Sequence, residues 1–452
     1  MFYRIPPLIL ILFWMSLTIL AQETGDIQSE YQKKLSEIQD KNALDYFQLG
    51  KWAKEKKLSV PANLYFNKAL EIKSDYPEAQ ESLSADTNGN TPNNYFEMVK
   101  ECRKKLKEAG QKCADRWSTL AKYCKSKDLC EEKEFCLTEA LKYDYNCKQA
   151  RELRGEVKVE GFGWVTKSNA ADIEKKTKKQ VTDWVNALEL KSEHYLLRTD
   201  VSFKKAQIIL KDLETLYEAI LDMFYGMEGL NVQSDKVFTV YFFRNKADYD
   251  AHASQCYPAA ARGDSPGYFS PKDQIVHYWP MEEFYMSRGQ TISASEQETR
   301  FHEATHQLLY LSCGVTIPKT NAPHFWVIEG IACYMGTMKN DKGKVSLGNH
   351  TQRTDIIKSN LNNCIPLVGF TQLTLRDFQG RQDAQFLYGQ ATALTLFFMQ
   401  NEKYKTRFLQ YIIAVHSLGA QGKLQESFTE FMKIDNPEQI EKEFTEFVKK
   451  KI

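Results

Sequence analysis

Five consecutive residues, His302-Glu303-Ala304-Thr305-His306, limit what this chain can fold into more than any other stretch. Positions i and i+4 of an α-helix lie one turn apart on the same face, so a helix here aims both imidazoles at one point. Two histidines and a glutamate in the middle of a packed helix are costly unless their polar groups are satisfied, and a metal ion satisfies them. The flanks favour a helix. Phe301, Leu308, Leu309 and Tyr310 provide apolar faces, and Gly314 is a stop. Ser293 and Ser295 each precede a glutamate by three residues, Glu296 and Glu298, which is capping-box spacing.

A second constraint lies downstream, where twenty-two residues separate His306 from Glu329. The run Phe325-Trp326-Val327-Ile328-Glu329-Gly330-Ile331-Ala332-Cys333-Tyr334 is apolar except for one acid. An acid in such a run needs a partner. A helix-start role near Pro323, favoured by the helix dipole, is one reading. Coordination of the same metal as His302 and His306 is the other, and Gly330 and Ala332 are small enough to let this helix come close to the first. Catalytic zinc takes three protein ligands and keeps a fourth position for water. The expected cofactor is therefore Zn2+, held by His302, His306 and Glu329. Glu303, beside the first ligand, is placed to take a proton from the activated water.

HEATH followed by WVIEGIACY resembles the gluzincin branch of zinc metallopeptidases, the thermolysin-like peptidase-MA clan. More closely, the chain is similar to secreted bacterial peptidase-MA-like proteins that carry helical repeats upstream. The resemblance covers about residues 190–452. It implies an α+β zincin-like domain with a small mixed sheet, active-site helices and a mainly helical C-terminal part. It also implies His302, His306 and Glu329 as ligands and Glu303 as general base, acting on a protein or peptide substrate. The run Tyr388-Gly389-Gln390-Ala391-Thr392-Ala393-Leu394 resembles a downstream helix of these families, where a tyrosine can steady the oxyanion; Tyr388 is that candidate. His324, just before the third ligand, is the rival. An aminopeptidase reading has no support, because a GAMEN-type signature is missing.

The chain starts with Met1-Phe2-Tyr3-Arg4 and then runs apolar from Leu8 to Met15, extended by Leu17, Ile19 and Leu20. That is the pattern of an export signal over residues 1–21, with Ala21-Gln22 as the cleavage point. An uncleaved anchor is the alternative, and only then is a membrane involved. The expected location is secreted, periplasmic or in the cell envelope. Ten cysteines suit such a compartment. Six fall between Cys102 and Cys147 and four between Cys256 and Cys364, even counts that permit pairing within each half. Cys333 stands one helical turn after Glu329, near the expected metal, with buried packing or a disulfide as its expected role.

Lysine and arginine number 60 against 59 acids, so no overall charge favours nucleic acid. A 42% hydrophobic content suits globular domains. Residues 22–40 are polar and read as a tether or loose helix, 41–82 as helical, 84–94 as a loop, and 95–157 as helical again. Gly161-Phe162-Gly163-Trp164 marks an element boundary. Leu49-Gly50-Lys51-Trp52 aligns with Leu120-Ala121-Lys122-Tyr123, and Leu58 and Ala69-Leu70 align with Leu129 and Ala140-Leu141 at the same offset of 71. Each copy reads as helix, turn, helix, and resembles tetratricopeptide units. Such stacked pairs present grooves to protein partners. Further on, Tyr195–Thr199 and Val237–Phe243 suit strands, Phe203–Tyr225 has helical period, and Gly267–Ser270 with Gln274–Trp279 suits a hairpin.

The expected organisation is an export segment over 1–21, an all-α TPR-like region over 22–160, a linker or helix over 161–189, and a metallopeptidase domain over 190–452. Two other functions stay open. One is a partner-binding helical module whose zinc domain is inactive or structural. The other is a zinc hydrolase of a non-peptide envelope amide.

Overall fold

The computed structural model describes residues 7–83, 95–177, 183–231, 236–256, 267–280, 296–314, 323–341, 344–348, 351–380, 383–418 and 424–452, with the backbone alone for 7–24. The fold is mostly helical with a small mixed sheet, an α+β layout. It divides into two compact units, residues 1–92 with 100–157, and residues 93–99 with 158–452.

The first unit is helical: α1 (Pro7–Glu55), α2 (Ser59–Ile72), α3 (Pro77–Ser82), α4 (Tyr95–Ser126), α5 (Cys130–Tyr143) and α6 (Lys148–Leu153). The sequence repeat is visible residue by residue. The bounds of α2 and α3 recur in α5 and α6 at the same offset of 71. Each copy turns on one residue with left-handed backbone, Lys57 (φ 61°) and Asp128 (φ 54°). In both, the next N–H closes the turn: Leu58 donates to the Ala53 carbonyl and Leu129 to the Cys124 carbonyl, each at 2.9 Å. The segment 22–40, expected as a tether or loose helix, is part of the continuous helix α1. Its cause is packing, since Tyr31, Leu35 and Ile38 join the core made by Trp117, Leu120, Cys124 and Leu137.

The second unit opens with a two-stranded hairpin, β1 (Glu156–Val159) and β2 (Gly163–Thr166), followed by α7 (Lys167–Thr177). The boundary at Gly161 is a turn of positive φ (79°), a conformation open to glycine. The main sheet has five strands: β3 (Leu188–Lys191), β4 (Tyr195–Thr199), β5 (Phe238–Phe242), β6 (Gly267–Ser270) and β7 (Ile275–Tyr278). Their order is β3-β4-β5-β7-β6, with β4, β5 and β7 parallel and the two outer strands antiparallel. Strand β6 therefore lies at an edge. Helices α8 (Phe203–Phe224) and α9 (Lys246–Cys256) connect the strands. The buried stripe of α8, including Ile209, Leu213, Leu216 and Ile220, repeats at helical spacing and covers the sheet.

The rest is helical apart from the small hairpin β8 (Lys339–Asp341) and β9 (Lys344–Ser346). It consists of α10 (Glu296–Cys313), α11 (Phe325–Gly336), α12 (Gln352–Ser359), α13 (Leu367–Thr371), α14 (Leu375–Gly380), α15 (Ala384–Gln400), α16 (Glu402–His416), α17 (Phe428–Met432) and α18 (Pro437–Lys451). Helix α10 packs against β6 and β7 on one side and α11 on the other. The capping boxes expected at Ser293 and Ser295 lie outside the described residues, as does the loop at 84–94. Of residues 1–21, expected as an export segment, only helical backbone from Pro7 is described. Among the described residues no helix is long and apolar enough to cross a membrane.

The cysteine pairing that even counts permit is not seen among the described residues. The cysteines described are free thiols, most of them buried. The buried ones pack as small apolar groups, and some make polar contacts, such as Cys102 Sγ with Tyr65 Oη at 3.0 Å and Cys147 Sγ with Ser118 Oγ at 3.3 Å.

Candidate metal centre

Helix α10 is anchored before it presents any ligand. Arg300, 5% exposed, donates to Asp212 of α8 at 2.5 Å and to Glu296 of its own helix at 3.1 Å. One turn past His302, Gln307 Nε2 donates to the carbonyls of Thr239 and Gln274, both at 2.8 Å. These bonds tie α10 to α8, to strand β5 and to the turn of the β6–β7 hairpin. Phe301, Ala304, Leu308 and Leu309 fill the core beneath. The face left half-exposed carries His302, Glu303, His306 and Tyr310.

Helix α11 brings the third group. Its close approach to α15 depends on Gly330, where a Cβ would collide with Thr395 Oγ1 and lie 3.1 Å from the Ala391 carbonyl oxygen. Glu329, 8% exposed, then meets both imidazoles. Its Oε2 is 3.2 Å from His302 Nε2 and 3.6 Å from His306 Nε2, and the two Nε2 atoms are 3.1 Å apart. Among the described residues this is the group of His, Cys, Asp and Glu side chains able to hold a metal ion. A tetrahedral zinc with ligands at about 2.0–2.1 Å spaces its donors about 3.3 Å apart, and the observed separations bracket that figure. Two neutral imidazoles and one carboxylate fit zinc chemically as well as sterically.

The imidazoles and the carboxylate hold one another in their charged forms. Burial disfavours the charged form of Glu329, yet His306 and His302 beside it hold its carboxyl far below the usual carboxylate range. Burial also opposes a charge on His302. There the Cys333 sulfur and the Glu329 and Glu303 carboxylates outweigh burial and raise its pKa well above the ordinary value.

Glu303 is fixed differently from Glu329. Its Oε2 accepts the Phe269 N–H of edge strand β6 at 3.0 Å, and its Oε1 lies 4.0 Å from His302 Nε2. It stands beside the three-donor group without joining it. Tyr388, on α15, is half-buried, with Phe378 edge-on at 5.7 Å and the Arg353 guanidinium 5.3 Å from its ring centre. The charge of Glu329, reinforced by burial, holds its phenol above the ordinary range, so it remains an O–H donor at neutral pH. His324 is taken up by the helical core. It is 3% exposed, its Nδ1 lies 2.6 Å from Tyr411 Oη, and burial lowers its pKa to about 4.

Three further groups contribute to the site. The Phe269 amide is a backbone group on a strand distant in sequence. Cys333 Sγ lies 3.6 Å from His302 Nδ1, and Arg353 Nη1 donates to that sulfur at 3.1 Å. The one-turn spacing of Glu329 and Cys333 placed the thiol near the metal, but nothing in the sequence singled out Arg353. No protein-family model matches the chain, and no curated protein matches it.

Proposed function

We propose that the second unit is a zinc-dependent peptidase of gluzincin type. The observation that carries this reading is the convergence of His302, His306 and Glu329 at tetrahedral spacing, with a further carboxylate outside that donor set, Glu303, at its side. A purely structural site has no use for that fourth group. Zinc, when bound, acidifies a water and polarises a carbonyl oxygen. Glu303 takes the proton of the attacking water and returns it to the leaving amine, and the Phe269 N–H holds it in that position. The Tyr388 hydroxyl donates to the developing oxyanion. Among the described residues strand β6 has β7 as its one sheet neighbour, and that edge can align an extended peptide by strand addition next to Glu303.

The first unit fits a protein-recruiting role. Leu64 and Phe135 occupy equivalent places in the repeat and are 47% and 46% exposed, an apolar position presented twice. The charged, apolar start of the chain supports action outside the cytoplasm.

The test is digestion of an unfolded protein such as casein by the wild type and by Glu303→Gln. New amino termini from the wild type alone support the peptidase. Release of acyl products from envelope amides, with casein left intact, replaces it by the non-peptide hydrolase. Absence of either activity leaves the binding module.

A further inference from the structure

We infer that Arg353, acting through Cys333, is the positioning residue that holds metal ligand His302 in place; the inference rests on the metal site proposed above. The three Nε2 and Oε2 donors converge, so the proton of the His302 imidazole belongs on Nδ1, on the far side of the ring. Nδ1 faces Cys333 Sγ at 3.6 Å. Metal-bound histidines depend on such a partner for their tautomer and ring orientation, a task commonly given to a carboxylate or a carbonyl. Here the partner is a sulfur that is 2% exposed.

A sulfur is a weak acceptor, and Arg353 compensates. Its guanidinium has donors only, and Nη1 approaches the same sulfur at 3.1 Å. The sulfur thus receives one N–H from the ligand and one from the arginine. The same guanidinium reaches further. Its Nε lies 3.9 Å from Glu298 Oε1, one turn before His302 on α10, and its centre is 5.3 Å from the Tyr388 ring on α15. One cation therefore touches α10, α11 and α15, the three helices that carry the candidate ligands, the base and the oxyanion donor.

Local structure does not explain Arg353. It sits in the first turn of α12, where a positive charge runs against the helix dipole. Its backbone is nevertheless held tightly. A Cβ at Gly389, next to Tyr388, would lie 2.8 Å from the Arg353 carbonyl oxygen, so α12 and α15 pack there backbone to backbone. The geometry aims the arginine inward at a cost to the helix that bears it.

The experiment is a zinc-affinity cycle by chelator competition on the full chain, using wild type, Cys333→Ala, Arg353→Met and the double variant. Melting of the metal-free proteins runs alongside as a control on folding. Each single change is expected to weaken zinc binding about 10- to 100-fold. The double variant is expected to be no weaker than the worse single, because both remove one linkage. Cys333→Asp is expected to recover affinity, since a carboxylate can accept from His302 and pair with Arg353. Should Arg353→Met fail to fold, Arg353→Lys takes its place, expected to bind zinc more weakly because one ammonium cannot span all three helices. Zinc affinities equal to wild type in the single variants, or losses that multiply in the double, overturn the inference and leave the metal site standing. A wild type that binds no zinc overturns both.

Discussion

Glu329 and Glu303 point toward one spot from different helices, and their surroundings suit them to the different roles proposed for them. Glu329 is enclosed by two imidazoles and kept ionised, as a ligand must be. Glu303 is held by one backbone amide and stays half-buried, as a proton carrier must. Tyr388 is separated from both by its retained proton. Tyr388→Phe is accordingly expected to lower kcat by about 10²–10³ with KM little changed, the pattern of a donor used only in the transition state. Steady-state kinetics on a peptide substrate would check it; an unchanged kcat would return the role to packing against Phe378. His324, by contrast, was indistinguishable from a site residue in the sequence. Its left-handed backbone (φ 74°) and its bond to Tyr411 place it in the core, and neither is readable without knowing which helices meet.

At the scale of elements, the sequence was most informative where periodicity was strong. Phe203–Phe224 forms α8 because its apolar positions recur every three to four residues, and Phe238–Phe242 forms β5 because β-branched and aromatic residues dominate the run. The repeat at offset 71 was legible for the same reason, since each copy repeats the same short turn. Strand order was not legible, because β4, β5 and β7 pair in parallel across long connections. Cys333 and Arg353 meet for a similar reason: the contact depends on how α11 and α12 are packed. The small residues of α11 were legible, and they carry a test. Gly330→Ala pushes a methyl group toward Thr395 and the Ala391 carbonyl. It is expected to cost about 1–3 kcal/mol by overpacking, partly recovered by adding Thr395→Ala. Urea denaturation of the three proteins measures both effects, and an unchanged midpoint for Gly330→Ala would show that α11 and α15 are not in close contact.

For the molecule as a whole, two of the buried histidines outside the metal group, His324 and His416, weaken the fold in acid. Burial lowers the pKa of both His324 and His416 to about 4, below the roughly 6.5 of an unfolded chain. Between those values the unfolded state binds more protons. Their contribution to stability is therefore full above about pH 6.5 and falls as the pH drops toward 4. Melting temperatures across that window should decline, and His324→Asn, a residue that tolerates left-handed backbone, should flatten the slope. A slope that does not change would remove His324 from the acid response. The most direct test of the central claim is the zinc content of the purified wild type, Glu303→Gln and His306→Ala, read together with their peptide hydrolysis. One zinc per chain in the first two, little in the third, and hydrolysis by the wild type alone is the expected result. A wild type without zinc, or a Glu303→Gln protein as active as wild type, would contradict it.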